Sequence, residues 1–464
     1  MTPAITYPQH ARQIMRLGGP LILSNLAQFA LHITDSIMLG WYSITALAAS
    51  TIAGTFFFLT FIVGAGFSQA VTPLVAAAAE ESDEVQVRRV TRMGLWLSTF
   101  YGLAFMLPFF WAEEILLAMG QTTTVASEAQ LYLTIVALQM VPALIVMLLK
   151  SFLAALEHTA VILWATLGTA VLNIPINYAL IFGNWGAPEM GIRGAAVASL
   201  VATVLTVVIL AAYIARKTPQ YTLMKNIWRS DWSVMLRVFR LGWPIGLTSL
   251  AEGGLFSASA VMMGWIGEVP LAAHGIALQI TSLAFVVHVG FSQAATVRAG
   301  RALGRRDPGA LKRGGITVLV LSLAVSVLTM AVFLLLPEPL ISVFLDPSHA
   351  RRGDVIALGV VFLAMAALFQ IVDAAQVIAL GLLRGVQDTT VPMLMATVSY
   401  WIIGLPVSYV LAFMLGLGGV GLWLGLVIGL SVAALLLLLR FWRQSVPALE
   451  HRFARGPLPE RATG

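Results

Sequence analysis

Long apolar runs separated by short polar segments fill almost the whole of this chain. Twelve of the runs are long enough to cross the hydrocarbon core of a bilayer as helices, which takes about 20 residues each. They lie near residues 14–39, 47–72, 93–112, 129–150, 160–183, 193–215, 241–266, 275–297, 315–336, 355–381, 391–414 and 418–439. The pattern predicts an all-α polytopic membrane protein with about twelve transmembrane helices.

The second half of the chain repeats the first at an offset of 224 residues. Residues 16–41 (RLGGPLILSNLAQFALHITDSIMLGW) align with residues 240–265 (RLGWPIGLTSLAEGGLFSASAVMMGW), and the segment GFSQA recurs further on. At a slightly larger offset, residues 173–178 (NIPINY) align with residues 404–409 (GLPVSY). Six helices per copy give both copies the same orientation, as in transporters built from parallel repeats.

The repeat divides the chain into two predicted parallel six-helix lobes of one bundle. The predicted parts are an N-terminal lobe at 12–216, a cytoplasmic linker at 217–240, a C-terminal lobe at 241–442 and a cytoplasmic tail at 443–464.

The positions of the basic residues predict the orientation of the helices. Charged residues make up only 10% of the chain, whereas soluble proteins carry about 25%. With a cytoplasmic N-terminus, 24 of the 27 Lys and Arg residues fall inside, and only Arg193, Arg351 and Arg352 fall outside. We therefore expect both termini in the cytoplasm of a bacterium and the helices in its inner membrane. The net charge of +6 is explained by this orientation, and no nucleic-acid partner is expected.

Three acidic residues lie inside the apolar runs: Asp35, Glu252 and Asp373. No Lys or Arg lies inside a run to neutralise them, and Arg384 is eleven residues from Asp373, about 16 Å along a helix. A carboxylate in hydrocarbon costs several kcal/mol, and such residues usually mark a transport pathway. The three acids are therefore expected to be protonated, to bind cations, or both. The alternative for Asp373 is a protonated side chain that only bonds a neighbouring helix.

The repeat shows that the two lobes are chemically different. Gln28 occupies the position that corresponds to Glu252, and Ser259 occupies the position that corresponds to Asp35. The N-terminal lobe therefore holds one acid and the C-terminal lobe two.

Four amide side chains are candidate partners of these acids. Asn173 and Asn177 lie four residues apart on one helical face, so their carbonyl oxygens could ligate Na⁺ beside Asp35. An equally good alternative is that they bond the backbone freed by Pro175. Gln370 precedes Asp373 by three residues and is expected to orient its carboxylate, and Gln279 is a further polar position within a helix.

The motifs resemble those of the multidrug and toxic compound extrusion (MATE) family. The resemblance covers about residues 12–442 and rests on the RLGGP and RLGWP openings, ITDSIMLG, the PINY element, AEGGLFSASAVMMGW and QIVDAAQVIALGLLRGVQDT. The acids in the seventh and tenth helices are similar to those of its NorM-like branch. The helix-10 motif is the most specific of these segments.

The resemblance implies a twelve-helix antiporter that exports organic cations in exchange for H⁺ or Na⁺ through a central cavity. It implies that Glu252 and Asp373 are the cation-site acids of the C-terminal lobe, and that Asp35 is the acid of the N-terminal lobe. Some members have a Tyr one turn before the helix-10 acid, where this chain has Phe369. The missing hydroxyl favours H⁺ over Na⁺ in the C-terminal lobe.

The remaining function classes fit less well. A flippase for lipid-linked precursors, from the same superfamily, is the main alternative; it would have more helices and basic residues in its cavity. An enzyme would need a metal cluster or a nucleophile–base pair, and the sequence shows neither, nor any cysteine. A monomeric transporter for cationic or lipophilic drugs, with no cofactor beyond a coupling cation and no metal other than the Na⁺ considered at Asp35, is therefore predicted.

Overall fold

The structure, a computed structural model, describes residues 5–223, 225–347 and 351–454. Twelve of its helices are long and apolar enough to cross a membrane, as the hydrophobic pattern predicts. We number them α1 (Tyr7–Tyr42), α2 (Ile44–Glu80), α3 (Glu84–Ala118), α4 (Thr123–Ala155), α5 (Thr159–Phe182), α6 (Ile192–Lys217), α7 (Trp232–Ile266), α8 (Glu268–Gly304), α9 (Pro308–Leu335), α10 (Arg352–Gly385), α11 (Thr390–Met414) and α12 (Gly418–Ala454). The residues that the structure describes form no strand, so the all-α prediction is confirmed.

Most of the helices extend beyond the apolar runs that predicted them. The second run predicted residues 47–72, but α2 covers Ile44–Glu80. An apolar run ends where the side chains become polar, whereas the helical hydrogen bonds of the backbone continue into the polar residues that follow. One consequence is that Lys150, placed at the end of a run by the sequence, lies five residues inside α4.

Polar side chains mark several helix starts. The side chain of Asp83 accepts a hydrogen bond from the backbone N–H of Gln86 at 2.8 Å, and Asp307 does the same for Ala310 at 2.8 Å. Each carboxylate satisfies one of the N–H groups that a helix N-terminus leaves unpaired. These caps set the starts of α3 and α9.

Glycines allow close packing of α11 against α12. Gly421, Gly425 and Gly429 recur every fourth residue on one face of α12. A Cβ atom on Gly425 would overlap the backbone of Ser408 on α11, and one on Gly421 would lie 2.6 Å from the amide nitrogen of Ala412. Small residues at this spacing are how membrane helices approach closely without a hydrophobic driving force.

The helix α11 is not a regular α-helix. Its segments Val398–Gly404 and Val410–Met414 are π-helical, and Leu405–Tyr409 between them carries Pro406. A π-helical turn widens the backbone and changes where side chains point, and such turns are frequent at functional sites.

Backbone contacts divide the chain into two compact units. The N-terminal unit is Gly19–Leu250, and the C-terminal unit is Ala251–Gly464 together with Met1–Gly18. The unit boundaries therefore fall inside α1 and α7. The lobe and linker boundaries drawn from the repeat stay a prediction about folding domains.

In the N-terminal unit, the segment between α6 and α7 is bonded to the start of α3. Arg89 forms an ion pair with Asp231 at 2.5 Å, and the indole N–H of Trp96 donates to the backbone oxygen of Ile227 at 3.0 Å. The hydrogen bond from Arg89 lowers the pKa of Asp231 to about 2. The segment is thus held on the polar end of α3, in agreement with its amphipathic sequence.

The C-terminal unit has a corresponding set of contacts at the ends of its helices. Arg440 on α12 donates two hydrogen bonds to Asp388, at 2.7 and 3.1 Å. Lys312 near the start of α9 pairs with Glu450 at 2.7 Å. These ion pairs attach the last turns of α12 to α9 and to the turn before α11.

Candidate functional site

In the N-terminal unit, the structure brings together Asp35 and the two asparagines predicted from the sequence. The side-chain amide of Asn177 donates to the Asp35 carboxylate at 2.6 Å and to the carbonyl oxygen of Asn173 at 2.7 Å. Both asparagine side chains are fully buried. Their amides therefore bond the acid and each other, and ligation of Na⁺ by their oxygens stays a prediction.

This N-terminal cluster has two buried polar atoms without a hydrogen-bond partner among the described residues, of which only the oxygen could hold a cation. They are the oxygen of Asn177 and the amide nitrogen of Asn173. Rotating the Asn177 amide by half a turn would direct its oxygen towards Asp35, because the two ends of an amide have nearly the same shape. The Asn177 amide can thus donate an N–H group to a bare carboxylate, or present its oxygen to a cation bound by Asp35.

The two acids of the C-terminal unit also lie close together. Glu252 on α7 accepts a hydrogen bond at 3.2 Å from the side chain of Gln376, which is one turn from Asp373 on α10. Asp373 is completely buried, and neither of its oxygens has a hydrogen-bond partner in the part of the chain that the structure describes. Its carboxyl group is therefore available to a proton or a cation.

Gln370 does not orient Asp373, so this expectation is wrong. Its amide donates instead to the backbone oxygen of Thr281 on α8, at 3.3 Å. Gln376 contacts the acid pair in its place, through Glu252. Gln370 precedes Asp373 by three residues and Gln376 follows it by three, so helical spacing cannot distinguish them. The difference arises because α8 packs against one turn of α10 and α7 against the other.

Gln279 is not part of either acid cluster as the structure describes them. Its side chain is exposed on α8. The hydrogen bonds found at Asp35 and Glu252 come from Asn177 and Gln376. Gln279 therefore remains only a polar position on a membrane helix.

A basic residue that the sequence placed at a membrane end lies beside the counterpart of Glu252. The ammonium of Lys150 on α4 donates to the side-chain oxygen of Gln28 at 3.5 Å. The prediction concerned the apolar runs, and Lys150 lies at the last residue of the run 129–150 and five residues before the end of α4. The first and fourth helices of each repeat form a polar pair, Gln28 with Lys150 and Glu252 with Gln376, but only the second pair contains an acid.

Aromatic side chains pack closely around Phe369, at the position where some MATE members have a Tyr. Phe369 is buried, with its ring centre 6.0 Å from that of Trp423 and 5.9 Å from that of Phe256, both in edge-on geometry. Such edge-to-face pairs stabilise a packed core. The position one turn before Asp373 therefore serves packing in this chain.

The two clusters differ in composition from a divalent metal site. Among residues 5–223, 225–347 and 351–454, no three His, Cys, Asp or Glu side chains are grouped as they would be around a divalent metal ion. Each cluster instead combines one or two carboxyl groups with neutral amides inside a membrane helix bundle.

Comparison with known families agrees with this geometry. The family model described as MatE matches residues 20–179 and 244–410 of this chain, which is more than half of it. The chain belongs to the MatE family. The two matched ranges cover the three acids and both asparagines, so all of them lie within the part shared with the MatE family.

Two bacterial relatives are similar to this MatE chain over nearly its full length. A probable multidrug resistance protein NorM of Rhizobium meliloti (strain 1021) is 44% identical and covers 94% of both chains. One of Agrobacterium fabrum (strain C58 / ATCC 33970) is 42% identical and covers 93% of both. The resemblance read from the helix motifs is confirmed.

Solved MATE structures have the same fold. The crystal structure of a eukaryotic MATE transporter, AtDTX14, superposes with a TM-score of 0.83 at 22% identity, covering 96% of this chain and 99% of that one. This MatE chain is therefore a multi-pass membrane protein of the transporter fold that its repeat predicts.

Proposed function

We propose that this protein is a secondary antiporter that exports cationic or lipophilic organic compounds in exchange for H⁺ or Na⁺ by alternating access. Its relatives are described as multidrug resistance proteins and match it over nearly their whole length. The observation that carries the proposal is Asp373, a fully buried carboxyl group whose two oxygens have no hydrogen-bond partner among the described residues. A structural acid would bond a neighbouring helix, whereas a coupling acid must be free to exchange its ligand.

The acid pair explains how export is coupled to an ion. Two carboxyl groups in a dry interior are stable when neutral or when a cation lies between them. Uptake of H⁺ or Na⁺ removes the negative charge that retains a cationic drug, and the drug leaves outward. Loss of the ion towards the cytoplasm restores the charge and allows the next drug to bind. Competition for one negative site is the minimum that antiport requires.

The site in the N-terminal unit is proposed as a second cation site. Asp35, Asn173 and Asn177 together offer a carboxylate and two amide oxygens, which suits a hard monovalent cation. The proposed orientation places both termini in the cytoplasm, with the protein as a monomer in the bacterial inner membrane.

Efflux from everted membrane vesicles tests the function. We expect vesicles that contain the protein to accumulate ethidium when energised by a pH gradient or by a Na⁺ gradient, and control vesicles without it to accumulate none. Asp373→Asn should abolish this accumulation at an unchanged protein level. Accumulation equal to that of control vesicles under both gradients would reject export of this class of compound.

Drug binding in detergent tests the role of Asp373. The fluorescence-quenching affinity for ethidium should change between about pH 5.5 and about pH 8.5 in the unmodified protein, because protonation removes the charge that binds the drug. Asp373→Asn should bind more weakly and lose this dependence, and Asp373→Glu should retain part of both. A slope for Asp373→Asn equal to that of the unmodified protein would show that another acid is the switch, with Asp35 the next candidate.

A further inference from the structure

A small cavity lies among the ends of four helices in the C-terminal unit. Its volume is about 10 Å³, which is room for one water molecule or one oxygen atom of a larger group. Its lining includes His10 near the start of α1, Arg298 near the end of α8 and Arg305 just after that helix. The other described lining residues are apolar or glycine, and include Gly314 of α9 and Leu382 of α10. Two guanidinium groups and an imidazole therefore line one cavity, and no acidic side chain is among its described lining residues.

The imidazole of His10 is buried at this cavity without a hydrogen bond. The residue is only 1% exposed, and neither ring nitrogen has a hydrogen-bond partner among the described residues. A buried polar group without a partner is costly, so its presence requires a reason. At least one nitrogen of an imidazole carries a hydrogen that it can donate. A group that accepts a hydrogen bond inside the cavity would satisfy it.

The internal repeat shows that the packing of these helices does not require polar side chains. At the offset of 224 residues, His10 corresponds to Val234 and Arg298 corresponds to Leu74, both in the N-terminal unit. Val234 and Leu74 are buried, with 5% and 3% of their surface exposed. Apolar side chains therefore fill these positions in one unit, whereas the other unit buries an imidazole and a guanidinium there.

Two further differences between the repeats fit an anion site in the C-terminal unit alone. Arg305 corresponds to Glu81, and each caps the C-terminus of its helix, so the charge at this position is reversed. Gly314 corresponds to Val90. A Cβ atom on Gly314 would lie 3.5 Å from the Nδ1 atom of His10, so the missing side chain leaves space beside the imidazole.

We propose that His10, Arg298 and Arg305 form a binding site for a phosphate group. One phosphate oxygen fits the cavity that His10 and Arg298 line, and Arg305, which is exposed, can bind other oxygens at its mouth. A guanidinium group donates paired N–H groups that match the geometry of phosphate oxygens. This end of the helices is cytoplasmic in the proposed orientation, and basic pockets between membrane helices on that side bind the headgroups of anionic lipids. The phosphate can thus belong to a lipid headgroup or to a free anion.

Thermal unfolding of the purified full-length protein in detergent tests the site. A ligand that binds the folded state raises the apparent melting temperature as its concentration exceeds its dissociation constant. In one arm, phosphatidylglycerol is compared with the diacylglycerol that lacks its phosphate. In the other, potassium phosphate is compared with KCl of equal ionic strength. We expect a saturable rise in at least one arm: a rise with the lipid alone assigns the site to a headgroup, and a rise with the salt shows that a free anion enters.

Variants that carry the residues of the other repeat separate binding from packing. His10→Val and Arg298→Leu, made one at a time, should each require about tenfold more ligand for the same rise, as expected for the loss of one hydrogen-bond donor to a charged group. Without ligand, His10→Val should melt at the same temperature as the unmodified protein or higher, because no hydrogen bond among the described residues is lost. Arg306→Gln, at an exposed position outside the cavity lining, should behave as the unmodified protein.

Either of two results would overturn the inference. One is the absence of a rise in both arms with the unmodified protein, which would leave the cavity to a buried water molecule. The other is a ligand titration that is the same in His10→Val, Arg298→Leu and the unmodified protein. Neither result bears on ethidium export from vesicles, so the proposed antiport is judged separately.

Discussion

The amide of Asn177 donates at 2.6 Å to the carboxylate of Asp35. The two residues lie on different helices and are 142 residues apart in the chain. The same amide bonds Asn173 at 2.7 Å, so one side chain connects the acid to the second asparagine. Both asparagines flank Pro175, which interrupts backbone hydrogen bonding at this turn of α5. The arrangement makes Asn177 the residue on which the N-terminal cluster depends.

Replacing Asn177 by Ala should therefore impair transport through Asp35. The change removes a hydrogen bond to the charged carboxylate, which costs that state about 1.5–3 kcal/mol, or roughly tenfold to a hundredfold in its population. Ethidium efflux from everted vesicles should fall by at least about tenfold at an unchanged protein level. Ser36→Ala, next to Asp35 but bonded only to the backbone of His32, should retain efflux. Equal rates in the two variants would assign Asn177 to packing.

Glu252→Gln should abolish ion-coupled export while the protein remains folded. Gln keeps the shape of Glu252 and can still accept the hydrogen bond from Gln376, so only the charge is lost. We expect the amount of purified protein to be unchanged and efflux to fall to background. Full efflux by this variant would show that the acid is structural.

Adding an acid at the corresponding position of the other repeat should not restore export. In Gln28→Glu, the new carboxylate would face the ammonium of Lys150, which already bonds Gln28 at 3.5 Å. The two charges would pair and exclude a transported cation. The double variant Gln28→Glu with Glu252→Gln should therefore remain inactive in vesicles, and recovered efflux would contradict the asymmetry of the two units.

A methyl group on Gly425 should destabilise the C-terminal unit. Its Cβ would overlap the backbone of Ser408, which cannot move aside as a flexible side chain can. Overpacking of this kind costs about 1–3 kcal/mol or more, so Gly425→Ala should lower the melting temperature in detergent. Gly168→Ala, on α5, meets nothing within 4 Å and should be neutral or stabilising. A melting temperature for Gly425→Ala equal to that of Gly168→Ala would show that α11 and α12 are not closely packed there.

The distribution of basic residues predicts which loops a reporter can reach. A reporter fused after Arg443 should be cytoplasmic, and one inserted near Gly120, between α3 and α4, should be periplasmic. Alkaline phosphatase and green fluorescent protein fusions at both sites would check this. The reverse pattern would require the whole topology to be inverted.

The ion pair between Arg89 and Asp231 should not contribute to pH dependence in the range where transport is measured. The pKa of Asp231 is lowered from 3.8 to about 2, so its contribution is complete above the unfolded value and is lost only as the pH falls towards about 2. Asp231→Asn should lower the melting temperature by a similar amount at about pH 6 and about pH 8. A difference that grows between these two values would mean that the pKa of Asp231 is raised towards neutral pH instead of lowered.

Much of the fold could be predicted because two patterns can be recognised in a single sequence. Apolar runs of membrane-spanning length give the helices, and matched pairs such as Pro20 with Pro244 give the repeat. Helix ends could not be predicted well, since backbone hydrogen bonding continues past the last apolar side chain.

The acids of the site could be predicted, but most of their partners could not. A carboxylate in an apolar run is conspicuous because its burial is costly. Which of Gln370 and Gln376 faces the acids depends on the helices that pack around α10, and a single sequence does not contain that information.

The position of the unit boundary within α1 affects the order in which the protein assembles. Residues up to Gly18 belong with Ala251 and the residues after it, which the ribosome makes more than 230 residues later. At about 5–20 residues per second, the first turns of α1 wait roughly 10 to 50 s for their packing partners during synthesis. During that interval they depend on the bilayer surface or on a chaperone for protection. A chain cut between the two repeats would leave its C-terminal half without these turns, so we expect the two separately made halves to assemble only when both are present.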